Sequence, residues 1–375
     1  MPSLLLDVDP DGLLEYSVVY TDRAVNHMSN AFQGVMKDIS RVLKQTYNAS
    51  SAIVVPGSGT FGMEAVARQF ATNKRCLVIR NGWFSYRWTQ IFDMGSIPSE
   101  TVVLKARPQD PGRQAAFVPP PVDEVVAAIK QHKPDLVFAP HVETASGIIL
   151  PDDYMRKVAD AVHAEGGLFV LDCIASGTIW VDMKAVGVDI LISAPQKGWT
   201  ASACCGLVML GDSARQRIGD TVSTSFAADL RKWLQIMEAY EGGGHAYHAT
   251  LPTDSLRILR DVMLETEAYG FDKVRAEQQA LGNAVRALLR ERGFKSVAAD
   301  GFAAPGVVVS YTDDDDIHST RKFAKVGIQA AAGVPLQCDE PSDFKTFRLG
   351  LFGLDKLHNL DRTVGSLKQA LDAMS

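Results

Sequence analysis

Between Ser51 and about Leu210 the chain alternates short apolar runs with longer stretches whose apolar residues fall at helical spacing. The short runs are SAIVVP, CLVIRNG, TVVLKA, DLVFAPHVE, GLFVLDCIAS, DILISAP and GLVML, and each predicts a β-strand. Between them FGMEAVARQFATN, VDEVVAAIKQHK and PDDYMRKVADAVHAEGG predict helices. This alternation implies an α/β fold with a mostly parallel, seven-stranded sheet sandwiched by helices. Near-continuous apolar runs such as LFVLD suit a sheet covered on both faces. After Leu210 the texture changes. Residues 213–240 read as helical and charged, EGGGHAYHATLPTD as a Gly-rich loop, and about 255–292 as one long amphipathic helical stretch. The remainder, with PGVVVSYT, FKTFRLGLF and HNLDRTVGSLKQALDAM, reads as a small C-terminal α+β domain. The expected division is an N-terminal segment at 1–20, a large domain at 21–254 and a small one at 255–375. No internal repeat is visible, and the four aspartates at 313–316 read as a solvated turn.

Composition narrows the function classes. With 375 residues, 46% hydrophobic and 22% charged, the chain has the profile of a globular enzyme of two domains. Its net charge of −6 argues against nucleic acid as a partner, since phosphate binding needs a cationic surface. No apolar run approaches the roughly 20 residues that a membrane helix requires. The opening MPSLLLDVDPDG carries no basic leader, so a cytoplasmic location is expected. The cysteines (Cys76, Cys173, Cys204, Cys205, Cys338) lack paired spacing, which predicts buried free thiols.

Candidate chemistry clusters after the predicted strands. Lys197, in LISAPQKGW, follows an apolar strand and is placed to emerge at the carboxyl edge of the sheet, where such sheets bind ligands. A partly desolvated lysine there can form a Schiff base with a carbonyl; the plain alternative is a surface lysine. Asp172 closes the run GLFVLD, with room for one short connection and one further strand before Lys197. It reads as a turn residue, or as the acid that keeps a pyridine nitrogen protonated in pyridoxal 5'-phosphate (PLP). The segment PGSGTFGMEA has a strand–turn–helix pattern that aims backbone N–H groups at an anion, with Ser58 and Thr60 adding hydroxyls. Gly57, Gly59 and Gly62 also spell the dinucleotide fingerprint of an NAD(P)-binding oxidoreductase. That reading wants an acid at the end of the next strand, where Arg80 stands, and it leaves Asp172 and Lys197 idle.

Together, HVETASG (141–147), LDCIASG (171–177), SAPQKGW (193–199) and FRLGLFG (347–353) resemble the class V aminotransferases of fold type I. The alanine–glyoxylate and serine–glyoxylate aminotransferases are the branch they resemble, from about Ser51 onward. The resemblance implies a PLP-dependent transaminase. It would move an amino group from a small amino acid or related amine to a 2-oxo acid such as glyoxylate or pyruvate. It further implies that Lys197 is the Schiff-base lysine and proton carrier, and that Asp172 pairs with the pyridine nitrogen. Ser58, Gly59, Thr60 and Gln196 would hold the phosphate. Phe84 would stack on the ring, with Trp83 the neighbouring alternative. Thr144 would face the phenolic oxygen, and Ile174 would press on the ring's other face, with Ser176 just beyond. Tyr247 and Thr250 would reach the phosphate of a neighbouring subunit, which implies a homodimer with shared active sites. Arg348 would grip the substrate carboxylate through two parallel hydrogen bonds.

Three segments depart from the family pattern. LLLDVDPDGLLEYSVVYTDRAVNHMS, with Tyr16, Tyr20 and His27, stands where a Gly-Pro-rich opening is usual. The phosphate loop carries Thr60-Phe61, and AAAGVPLQCDEPSD precedes Arg348, so a bulkier or differently charged donor is an open expectation. A lyase or desulfurase of the same fold is the rival within the fold. The desulfurase form needs a nucleophilic cysteine on a mobile loop, and Cys338 lies very near Arg348 for that. His245 and His248 have no acid or thiol at ligand spacing, so no metal is expected.

Overall fold

The computed structural model describes residues 8–374. The opening residues 1–7, on which part of the leader reading rests, lie outside the described residues. All seven predicted strands form: β1 (Ser51–Pro56), β2 (Arg75–Arg80), β3 (Glu100–Lys105), β4 (Leu136–Pro140), β5 (Leu168–Asp172), β6 (Ile190–Ser193) and β7 (Cys205–Leu210). They make one sheet in the order β1-β7-β6-β5-β4-β2-β3. Only β7 runs against its neighbours, pairing antiparallel with β1 and β6. The remaining pairs are parallel. Consequently the carboxyl ends of β1, β2, β4, β5 and β6 open at the same edge. Strands β4 and β5 are buried at every position, as a sheet covered on both faces requires.

Five helices matter for that edge: α1 (Asn30–Tyr47), α2 (Gly59–Phe70), α3 (Trp83–Gly95), α4 (Val122–His132) and α5 (Asp152–Ala164). The Ser29 hydroxyl caps α1 by accepting from the Phe32 N–H, and its apolar stripe buries Phe32, Val35, Met36, Ile39, Val42 and Leu43. The single helical stretch expected at 255–292 is instead two helices, Thr253–Tyr269 and Phe271–Glu291. Gly270 between them has φ +110°, a conformation no helix interior contains, and the glycine accommodates it without a Cβ clash.

A three-stranded antiparallel sheet follows, from β8 (Val307–Tyr311), β9 (Ala331–Ala332) and β10 (Thr346–Gly350), with β10 central. Its inner face joins the carboxyl edge of the large sheet through an apolar cluster containing Val142, Ala145, Ala175, Val307, Val309 and Leu336. This cluster sets β10, and with it Arg348, over the large sheet's edge. The aspartates at 313–316 differ from the expected solvated turn. Asp314 caps the short helix Asp315–His318, and the four carboxylates pair with Arg113, Lys322, Lys345 and Arg321. No helix among the described residues is long and apolar enough to cross a membrane.

Candidate active site

The carboxyl edge carries a cleft of about 180 Å³. Ser58, Gly59 and Thr60 enter it from the start of α2, Phe84 and Arg87 from α3, and Thr144 from the loop after β4. Asp172 and Ile174 come from the end of β5, and Gln196 and Lys197 from the loop after β6. The structure thus brings nine of the sequence-predicted residues together: Ser58, Gly59, Thr60, Phe84, Thr144, Asp172, Ile174, Gln196 and Lys197.

Lys197 is held by the packing beneath its loop. Trp199, fully buried, lies against Trp180 with ring centroids 4.6 Å apart, and Tyr47 and Phe271 close the cluster. Gly198 must be glycine, because a Cβ there would sit 2.0 Å from the Gly177 carbonyl oxygen. That backbone contact locks the lysine loop to the loop leaving Asp172. The Lys197 Nζ lies 5.3 Å from the Phe352 ring centroid. Burial lowers its pKa below the usual lysine range and Arg348 lowers it further, while Asp172 opposes them.

Asp172 is buried and accepts one backbone hydrogen bond, from the Ile174 N–H at 2.9 Å. Burial raises its carboxyl to about 7, against the donor from Ile174; the charge of Glu143 raises it further, and those of Arg87 and Lys197 lower it. The anion end is set by α2. Its first turn carries no acid and the Ser58 hydroxyl makes no capping bond, leaving donors at a positive helix terminus. The Gln196 Oε1 is buried without a hydrogen-bond partner.

Phe84 lies between two cations. The Arg87 guanidinium carbon is 5.1 Å from its ring centroid and that of Arg348 is 5.6 Å away. Arg348 donates from Nε to the Ala332 carbonyl at 2.8 Å, and burial lowers its pKa. The helix bearing Phe84 is anchored by Glu143, a fully buried carboxylate. It accepts from the Phe84 N–H (3.1 Å), the Ser85 N–H (2.9 Å), the Ser85 hydroxyl (2.7 Å) and the Ala145 N–H (2.9 Å).

Other candidates fall elsewhere. Trp83 packs against Tyr86, at 5.7 Å between ring centroids, and is not among the residues lining the cleft. Ser176 is buried against His141, whose Nδ1 lies 2.7 Å from its hydroxyl; burial lowers the His141 pKa to about 3. Tyr247 and Thr250 pair with each other at 3.3 Å on the surface, and neither lines the cleft. His248 meets the Phe226 carbonyl, and His245 sits against His27. Arg80 does not face a ligand. It bonds Thr89 and the Gln337 carbonyl and lies over the Tyr86 ring, which leaves the dinucleotide reading no recognising residue. Cys338 is buried against the Arg80 carbonyl, unlike a nucleophile on a mobile loop. All five cysteines are buried and free. Arg87 and Phe352 were not singled out by the sequence; the signal for Arg87 was its place one helical turn after Phe84.

The family model for aminotransferase class-V matches residues 12–333. The chain belongs to the class-V aminotransferases. It is a PLP-dependent transaminase, and its edge residues fit the cofactor: a desolvated amine, a buried acid opposite it, and unused donors at a helix N-terminus. Among similar proteins, alanine–glyoxylate aminotransferase of Rattus norvegicus is 26% identical over 362 residues, covering 93% of this chain and 82% of the relative. The 2-aminoethylphosphonate–pyruvate transaminase of Vibrio parahaemolyticus is 24% identical, covering 89% of each chain. A crystal structure of alanine–glyoxylate aminotransferase from Nostoc sp. shares the fold, with TM-score 0.78, 20% identity, and coverage of 92% of this chain and 89% of that one. The fold type I architecture of this class-V aminotransferase is therefore that of its family.

Proposed function

We propose that this transaminase moves the amino group of a small amino acid or related amine to glyoxylate or pyruvate. The observation that carries this reading is that Lys197, Asp172 and Phe84 line one cleft, with the Arg348 guanidinium carbon 5.6 Å from the Phe84 ring centroid. The names of the relatives, which pair alanine with glyoxylate and 2-aminoethylphosphonate with pyruvate, support the acceptor.

When bound, PLP supplies an electrophilic aldehyde and an electron-accepting ring. Lys197, whose pKa burial lowers, would offer a free amine to that aldehyde and would be the group to take the proton from the substrate α-carbon. Asp172 holds a proton on the pyridine nitrogen. Arg348 orients the substrate carboxylate by two parallel hydrogen bonds. Phe84 would cover one face of the ring and Ile174 the other. Thr144 serves the phenolic oxygen, while Ser58, Gly59, Thr60 and Gln196 hold the phosphate. Tyr247 and Thr250 would complete the phosphate site of a second copy, making the protein a homodimer. The change of texture near Ser255 supports a smaller C-terminal domain from there.

The test is a product assay with a panel of amino acids and aminoalkylphosphonates, each paired with glyoxylate or pyruvate. Formation of glycine or alanine in equal amount to the oxo product of the donor is expected, and Lys197→Ala abolishes it. Release of ammonia from a donor without any acceptor would overturn the transfer reading in favour of elimination.

A further inference from the structure

We propose that Arg87 is the cationic arm of the phosphate cradle, reaching the cofactor phosphate beside Thr60. The cofactor phosphate is dianionic near neutral pH. The residues expected to hold it, Ser58, Gly59, Thr60 and Gln196, are all uncharged. Arg87 and Lys197 are the two basic residues lining the cleft, and Lys197 is committed to the aldehyde. Arg87 Nη1 donates to the Thr60 Oγ1 at 3.0 Å, which ties the guanidinium to the first turn of α2. One of its five donors is thereby used, and the others stay free for an anion. Among the described residues it makes no ion pair with a carboxylate. Its guanidinium carbon lies 5.1 Å from the Phe84 ring centroid, one turn along α3 from that residue. Arg348, by contrast, is tied to the Ala332 carbonyl on the C-terminal sheet and serves a different anion. An arginine at the cradle can give two parallel N–H bonds to a pair of phosphate oxygens, where a helix N-terminus alone supplies partial charge.

The inference rests on the cleft being the cofactor site, and wild-type binding of pyridoxal, which lacks the phosphate, reports that reading separately. Full-length protein is resolved from its cofactor and titrated with PLP and with pyridoxal, following the absorbance of the bound form. Arg87→Gln should weaken PLP on the order of 30-fold, the size of one charge-assisted hydrogen bond, and pyridoxal by less than about threefold. Arg87→Lys, which keeps a point charge, should recover most of the loss. Equal losses for the two ligands, or PLP affinity within about threefold of wild type, overturn the proposal. A second measurement uses the unaltered chain. Inorganic phosphate should shield Arg87 from phenylglyoxal, and peptide mapping that finds it modified equally with and without phosphate also overturns the proposal.

Discussion

Burial acts in opposite directions on Asp172 and Lys197, two titrating groups that line the cleft. It raises the Asp172 carboxyl to about 7 and lowers the Lys197 ammonium, so each is pushed toward its neutral form. A neutral amine is the nucleophilic form, and a protonated acid can pass its proton to an arriving pyridine nitrogen and remain as its counter-ion. The same shift has a cost in the cofactor-free protein. The unfolded chain releases the Asp172 proton near pH 3.8 and the folded chain near pH 7. Between these values the folded state holds the extra proton, so stability falls as pH rises. This contribution is fully present below about pH 4 and lost as pH passes about 7. Urea unfolding of the cofactor-free protein should therefore show wild type losing stability relative to Asp172→Asn across that window. Parallel slopes for the two proteins would refute the burial account. In the loaded enzyme Asp172→Asn should lower kcat on the order of 100-fold, because an amide cannot hold the pyridine nitrogen protonated.

At the scale of elements, α3 is capped from outside itself. Its N-terminus begins at Gly82, which has no side chain to offer, and Glu143 from the loop after β4 accepts two of its first N–H groups instead. In Glu143→Gln one oxygen becomes an amide nitrogen, so at least one buried N–H loses its acceptor. A loss of about 2 kcal/mol is expected in chemical denaturation. Because α3 carries both Phe84 and Arg87, affinity should fall for pyridoxal as well as for PLP, unlike the loss confined to PLP expected at Arg87. A loss confined to PLP would place Glu143 with the phosphate instead. These two residues mark the limit of what the sequence discloses. Lys197, Asp172 and the Ser58–Thr60 turn were legible because each ends or follows an apolar strand, and the parallel sheet sends those ends to one edge. Glu143 lay in a quoted motif, yet its task is a contact with a helix 58 residues earlier, which no local pattern encodes. The break at Gly270 was likewise hidden, since the apolar stripe continues on both sides of it while the backbone turns.

At the scale of the molecule, the surface carries apolar residues that a finished monomer does not explain. Leu13 is 89% exposed, Tyr16 88% and Val18 fully so, all on the N-terminal segment; Tyr247, which does not line its own cleft, is 55% exposed. Exposed apolar groups clustered on one segment mark an interaction surface, and the second copy proposed above is a partner that would also give Tyr247 and Thr250 a phosphate to reach. Subunit complementation decides the matter. Lys197→Ala removes the amine from one chain, and Tyr247→Ala with Thr250→Ala removes the borrowed hydroxyls from the other. In a mixed dimer, one site combines both defects while the other pairs an intact Lys197 with intact Tyr247 and Thr250. After unfolding and refolding of equal amounts together, half the dimers are mixed and each has one whole site, so activity should return to about a quarter of wild type. Two variants that stay inactive when reassorted, while light scattering shows dimers, would mean that each chain completes its own site and that the surface pair serves only contact between copies.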